Sequence, residues 1–200
     1  MLGLLFGSRN NTRLTGPTVH IRPPKSRDYA AWSALREESR DFLKPWEPTW
    51  ASDALSKRGF KRRLERFNRE WEDGTGSPFF IIRNADSQLV GGITVSNIRR
   101  GIVQTANIGY WTGLPHIRKG YMAEALQLTL DYCFRIQGLH RVEAACLLRN
   151  SASRSLLESN GFTEEGLARQ YLCIDGQWQD HVTYAILRTD PRPMPAVKEP

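Results

Sequence analysis

The sequence predicts one α/β domain built around a mixed, mostly antiparallel sheet flanked by helices. Strand-like alternation and helical periodicity replace one another along the chain, which is the pattern of a sheet with helices packed on it. Neighbouring strand-like runs are joined by short polar turns, Asn84 to Gln88 and Asp175-Gly176, as in antiparallel hairpins. Two hundred residues, 40% of them hydrophobic, fill one core and leave no room for a second full domain.

The elements follow in order. Residues 1–16 read as a loosely held leader and 189–200 as a tail, Pro-rich from Pro191, with the domain spanning 17–188. Thr18 to Arg22 is a short strand stopped by Pro23-Pro24. Ser26 is placed to cap a helix to about Glu38 that carries Tyr29, Trp32 and Leu35 on one face. Residues 42–50, F-L-K-P-W-E-P-T-W, hold too much proline and aromatic for a regular element. A long helix is predicted from about Ser52 to Asp73, with Phe60, Leu64, Phe67 and Trp71 on its buried side. Its other side holds Lys57, Arg58, Lys61, Arg62, Arg63, Arg66 and Arg69 against Asp53, Glu65, Glu70, Glu72 and Asp73. This reads as a solvated face, with a phosphate or RNA contact as the alternative.

Strands are predicted at 79–83, 89–98 and 103–111, then a helix over 120–137 ended by Gly138. Residues 140–148 alternate, with Val142, Ala144 and Cys146 on one face and Arg141, Glu143 and Ala145 on the other. Ser151 to Asn160 is a short helix ended by Gly161. Two last strands, about 168–174 and 178–187, flank the Asp175-Gly176 turn.

Net charge is +7 and the pI is near 9.6, which favours a polyanionic partner: nucleic acid, ribosome or a phosphate-rich cofactor. Cys133, Cys146 and Cys173 show no C-x-x-C spacing, so reduced thiols in a cytoplasmic protein are expected. His20, His116, His140 and His181 are scattered, and no metal site is expected. Met1 to Phe6 is too short for a signal peptide or a span, and no later run approaches 18 apolar residues, so no membrane partner is expected.

The stretch that carries most chemistry is His116 to Leu126, H-I-R-K-G-Y-M-A-E-A-L. It follows a strand-like run and the breaker Gly113-Leu114-Pro115. It opens a helix with Met122, Leu126, Leu130 and Cys133 on one side. The first N–H groups of a helix have no internal partner and the macrodipole adds positive potential there, so such a turn holds anions. Gly120 permits close approach to the backbone, and Arg118 and Lys119 add full charges.

Three further stretches stand at ordered distances from it: N-S-A-S (Asn150 to Ser153), L-L-E-S-N-G-F (Leu156 to Phe162) and Y-L-C-I-D-G-Q-W-Q-D-H (Tyr171 to His181). In this order the chain resembles the GCN5-related N-acetyltransferase (GNAT) superfamily. Within it, F-L-K-P-W-E-P, G-Y-M-A-E-A-L, R-V-E-A and the Tyr171 to His181 run resemble the ribosomal-protein-alanine N-acetyltransferase (RimJ/RimL-like) branch. The resemblance covers about residues 17–188. It implies acetyl-CoA as co-substrate, its pyrophosphate on the N–H groups of Arg118, Lys119, Gly120, Tyr121, Met122 and Ala123. It implies that the pantetheine pairs along the strand through Ile108, Tyr110 and Trp111, and that Asn150 and Ser153 face the cofactor. The family turn reads Q/R-x-x-G-x-G/A. Here Ile117 and Met122 stand at its first and last places, so contact there falls to backbone N–H groups, which any residue but proline supplies.

The same resemblance implies that the Ser153 hydroxyl serves the departing sulfur, with Tyr171 as a second candidate acid. Many relatives carry a glutamate base on the strand before the turn, but residues 102–116 hold no Asp or Glu. Glu143 on the neighbouring strand is then the first candidate base, followed by Glu47, Asp180 and His181. Trp46, Glu47 and Trp50 border the acceptor in this branch: the tryptophans as walls, the carboxylate as a draw for an ammonium. A weak base suits an α-amine, with pKa near 8, better than a lysine near 10.4, which is roughly a thousandfold protonated at pH 7.5. The acceptor expected is therefore a protein N-terminus, alanine of a ribosomal protein in this branch, attacked directly in a ternary complex. Two rivals are a small-amine acetyltransferase (polyamine or antibiotic) and a non-catalytic basic module that binds RNA or the ribosome.

Overall fold

A computed structural model describes residues 12–193; of the predicted leader and tail, residues 1–11 and 194–200 lie outside the described residues. The strands are Leu14–Thr15 (β1), Val19–Arg22 (β2), Ser77–Arg83 (β3), Leu89–Arg99 (β4), Thr105–Thr112 (β5), Arg141–Leu147 (β6), Thr163–Ile174 (β7) and Gln177–Leu187 (β8). They form one sheet in the order β1-β2-β3-β4-β5-β6-β8-β7. Every neighbouring pair is antiparallel except β5 and β6, which are parallel. The sheet is therefore mixed and mostly antiparallel, as predicted. A parallel pair needs a long crossover, here supplied by the helix between β5 and β6.

The helices are Tyr29–Glu38 (α1), Arg40–Leu43 (α2), Lys57–Glu72 (α3), Tyr121–Asp131 (α4) and Ser151–Ser159 (α5). They cover both faces of the sheet, which β3 makes plain. Its Phe79 and Ile81 join Ala125, Leu126 and Leu130 of α4 and Leu157 of α5 in one core. Its Phe80 and Ile82 join Trp32 and Leu35 of α1 and Phe60, Leu64 and Phe67 of α3 in another. Alternate residues of a strand face opposite ways, so a strand buried on both sides reads as one unbroken apolar run.

Several predicted boundaries move, the strand expected from about 168 starting at Thr163 among them, and four of the shifts have a visible reason. Leu14–Thr15, inside the predicted leader, pairs with His20 and Ile21 as an edge strand. The helix expected to start at Ser26 is led by a 3₁₀ turn, Ser26–Asp28, and the hydroxyl makes no cap. Asp28 does that work: its carboxylate accepts from the Lys25 N–H at 2.7 Å and binds Arg22 through both oxygens. Charge-assisted bonds outcompete a hydroxyl here. The second helix starts at Lys57, not Ser52, because the Ser56 hydroxyl accepts from the Gly59 N–H at 2.9 Å. The helix predicted over 120–137 leaves α geometry at Tyr132 for a π turn, Tyr132–Ile136. There Gln137 N–H reaches Tyr132 O at 2.9 Å, while the Tyr132 hydroxyl meets Ser77 Oγ at 2.9 Å and accepts from Gln137 Nε2 at 2.6 Å. The Asp175-Gly176 hairpin stands as expected, with both residues at positive φ, 45° and 80°.

Glu124, in the first turn of α4, ties that helix to the β1–β2 turn. Its carboxylate accepts from the N–H groups of Thr18 (2.8 Å) and Val19 (3.0 Å) and from the Thr18 hydroxyl (2.5 Å). Replacing it by alanine strands the N–H of the fully buried Val19 and is expected to cost about 1–3 kcal/mol. Thermal unfolding reads this as a midpoint loss of roughly 2–4 °C per kcal/mol. Glu124→Gln, which keeps one acceptor, should lose less.

Candidate active site

The site begins where the parallel joint gives way. β5 and β6 pair only through Thr105–Arg141, Ala106–Val142 and Asn107–Glu143. Beyond Asn107, β5 stays on β4 through Gly109–Thr94, Tyr110–Ile93 and Trp111–Gly92, while β6 stays on β8 through to Leu147–His181. Each strand keeps its outer neighbour and the two part, leaving a wedge. One edge of β5 there is free of a ladder partner, which makes it a template for an extended ligand. Gly109 is exposed on that strand, and a Cβ there would meet nothing within 4 Å.

The strand ends in the predicted breaker, and a short 3₁₀ turn, Leu114–His116, leads to Arg118 and Gly120, both at positive φ (57° and 78°). Gly120 is the residue before α4, and an added Cβ would strain its backbone while striking nothing within 4 Å. The first N–H of the helix ladder is that of Glu124, bonded to Gly120 O at 3.1 Å. The N–H groups of Tyr121, Met122 and Ala123 therefore project from the helix start with no helical partner. Arg118 is exposed beside them, and the Lys119 ammonium folds back onto Pro115 O at 2.7 Å. His116 is buried in the same turn, where burial first and then the charges of Arg83 and Lys119 push its pKa below the ordinary value. The surroundings keep it neutral and leave the turn's positive charge to Arg118, Lys119 and the helix.

At the other wall of the wedge, Asn150 caps α5 by accepting from the Ser153 N–H at 3.1 Å. That cap aims the Ser153 hydroxyl at the Tyr110 hydroxyl, 2.7 Å away across the wedge. Burial drives the Tyr110 phenol well above its usual range, so it stays protonated. Burial likewise raises the neighbouring Cys146 thiol, which leaves it protonated and without nucleophilic character. The phenol bonded to Ser153 is thus Tyr110, not Tyr171. Tyr171 sits on β7, 43% exposed, with its ring edge-on to His181 at 5.9 Å.

The loop after α2 forms a third wall. The Glu47 carboxylate binds Arg36 through both oxygens (2.7 and 2.6 Å) and accepts from Trp50 Nε1 at 2.7 Å. The Arg36 guanidinium lies 4.2 Å from the Trp50 ring centre and 4.9 Å from that of Trp111 on β5. Trp46 stacks under Arg149 at 5.7 Å. The structure therefore brings Glu47 and Trp50 beside the β5 edge, but Glu47 is already neutralised by Arg36 and is no free draw for an ammonium. Sequence reasoning passed over Arg36, which lies in an ordinary helical pattern and is identified only by its contacts.

The remaining candidate bases are also engaged. Glu143 lies where β5 and β6 still pair, held by Arg141 at 2.8 Å and by Arg99 at 3.7 Å. Asp180 accepts from the Gln170 N–H at 2.8 Å. His181, nearly fully buried, has Nδ1 2.9 Å from the Gln179 carbonyl. A carbonyl only accepts, so in the neutral ring Nδ1 carries the hydrogen and Nε2 keeps its lone pair.

The comparisons with known proteins agree with one another. Residues 18–163 match the family model of the acetyltransferase (GNAT) domain. The chain is 37% identical to the probable N-acetyltransferase YjcK of Bacillus subtilis over 88% of its own length and 98% of that protein. It is 35% identical to the ribosomal protein uS5-alanine N-acetyltransferase of Escherichia coli over 93% and 97%. Among solved structures, it is similar to Mycobacterium smegmatis RimJ in complex with CoA-disulfide, with TM-score 0.83, 35% identity and coverage of 88% and 86%. It is also similar to the ribosomal-protein-S5-alanine acetyltransferase of Vibrio fischeri, with TM-score 0.83, 29% identity and coverage of 92% and 100%.

The residues present fit acetyl-CoA. An N–H cradle flanked by two cations suits a diphosphate, and an unpaired strand edge with an open Gly109 suits an amide-bearing arm. Among the described residues no group of His, Cys, Asp and Glu is set to hold a metal ion. At a ligand concentration about a hundredfold above Kd, acetyl-CoA is expected to stabilise the protein by roughly 2.7 kcal/mol. Thermal unfolding then shifts up by about 5–10 °C. Charge reversal at Arg118 and Lys119 together should remove most of that shift, and an unchanged shift would place the diphosphate elsewhere.

Proposed function

The chain belongs to the GNAT acetyltransferase family and is an acetyl-CoA-dependent N-acetyltransferase; from that premise we propose that it acetylates a free α-amine at a protein N-terminus. The acceptor favoured is the N-terminal alanine of a ribosomal protein, which makes the cytoplasm its place of work. The observation that carries this reading is that each of the three carboxylates nominated as base is already engaged. Glu47 is clamped by Arg36, Glu143 is held by two guanidiniums, and Asp180 is bound to a backbone N–H. Such a site is poorly equipped to strip a proton from a lysine or draw in a polyamine, whereas an α-amine is already partly neutral near pH 7.5. Relatives named for ribosomal-protein alanine support the same choice.

Bound acetyl-CoA supplies an activated thioester, and the chain's own groups do the rest. The N–H groups of Tyr121 to Ala123, with Arg118 and Lys119, hold the diphosphate. The free edge of β5 would hold the pantetheine arm, and Tyr110 and Ser153 would serve the thioester. These two hydroxyls share one hydrogen bond and leave one O–H free to donate to the departing sulfur. Trp46 and Trp50 wall the acceptor. His181, through the free lone pair on Nε2, is the group left to take the amine's proton, directly or through water, and Tyr171 holds its ring. Orientation supplies most of the rate, and no covalent enzyme intermediate is needed.

An alanine-starting peptide should be acetylated, and the same peptide with a blocked α-amine and a free lysine should not. The kcat/KM should rise about tenfold per pH unit below pH 8 and flatten above it, following the neutral α-amine. His181→Gln should lower kcat about a hundredfold with little change in the KM for acetyl-CoA. Equal acetylation of the blocked peptide would overturn the α-amine reading.

A further inference from the structure

We propose that Arg63 determines acceptor specificity: its guanidinium binds a carboxylate that the acceptor peptide carries a few residues beyond the acetylated amine. The inference rests on a peptide being the acceptor. Arg63 differs from the other cations of its helix, all of which are exposed. Arg62 is paired with Asp53 at 2.6 Å, Lys61 with Glu65 at 3.9 Å and Arg66 with Glu70 at 3.3 Å. Lys57, Arg58 and Arg69 are exposed. Arg63 is half-buried, stacked 5.4 Å from the Trp32 ring centre and 5.9 Å from that of Phe67. Among the described residues it has no carboxylate partner and no hydrogen bond.

Stacking uses the face of the guanidinium and leaves its N–H edge available, the geometry that takes a carboxylate in bidentate fashion. Its surroundings call for one. Desolvation first, then repulsion from Arg36 and Arg66, pulls the Arg63 pKa down to about 10, and only Glu47 opposes this. Glu47 is spent on Arg36. The two arginines and one glutamate leave this wall net positive, beside Trp50 and Trp111, where a cationic N-terminus must arrive. A bare ammonium is repelled by such a wall, while a peptide that brings its own carboxylate cancels the surplus. Trp32 and Phe67 also offer the stem of Arg63 a packing role, and a substitution that keeps the stem separates the two roles.

The test is steady-state acetylation of alanine-starting hexapeptides with Glu or Gln at each of positions two to five. The wild-type enzyme is expected to favour Glu over Gln at one position by about tenfold to a hundredfold in kcat/KM. Arg63→Met, which keeps the stem, should bring that ratio near one, and Arg63→Glu should turn the preference toward lysine at the same position. The thermal shift given by acetyl-CoA reports that each variant is folded with its cofactor site intact. A wild-type enzyme with no Glu preference at any position, or a preference that survives Arg63→Met, would overturn the role of Arg63 alone. Failure to acetylate any alanine-starting peptide, with the acetyl-CoA shift intact, would overturn the peptide-acceptor reading along with it.

Discussion

The parting of β5 and β6 after three paired residues is the constraint on which the rest of the molecule depends. A parallel pair inside a sheet normally continues until a strand ends, because unpaired backbone groups are costly in a dry interior. Here both strands continue, each anchored on an antiparallel neighbour, and the gap between them is left for a ligand's own amides. The crossover helix that joins the two strands must then begin at the mouth of the gap. That places the unpaired N–H groups of α4 at one end of the wedge. The cap of α5, on the loop after β6, places Ser153 against Tyr110 within it. One topological device supplies the unpaired N–H groups, the free strand edge and the pair of hydroxyls.

The electrostatics follow the same economy. The chain carries a surplus of seven positive charges, yet the acids around the wedge are almost all occupied by arginine or backbone N–H groups. A positive surface attracts a polyanionic cofactor, and under the proposed function it would also favour approach to an RNA-rich particle. The same surplus works against a highly charged amine acceptor. An acceptor amine that is partly neutral before it binds resolves the conflict, and no strong carboxylate base has to be kept free.

Much of this was legible in the sequence, because it is written in local patterns. The glycine-bearing basic turn that opens a helix and the Asp175-Gly176 hairpin each depend on residues within a few positions of one another, and each formed as read. The π turn at Tyr132 was not legible, since it depends on Ser77, 55 residues away. Nor was the Tyr110–Ser153 bond, which spans 43 residues, or the capture of Glu47 by Arg36. A sequence states that a glutamate exists; only the fold states whether its charge is free. Whether a nominated side chain is free to act was therefore the part least legible in the sequence.

Arg36 ties the loop of Trp46 to Trp50 to β5. Burying a bidentate Arg–Glu pair gains little stability over apolar packing, since desolvation offsets most of the attraction. Here the pair is retained with its third glutamate contact from Trp50 and with the guanidinium between two indole rings, one on the loop and one on β5. Its Nε still lacks a partner among the described residues. An arrangement that stabilises so modestly and fixes position so tightly is better understood as geometry than as glue. It holds the loop of Trp46 to Trp50 at a set distance from β5. Under the proposed function, a site that relies on orientation more than on a strong base needs that distance set before the acceptor arrives.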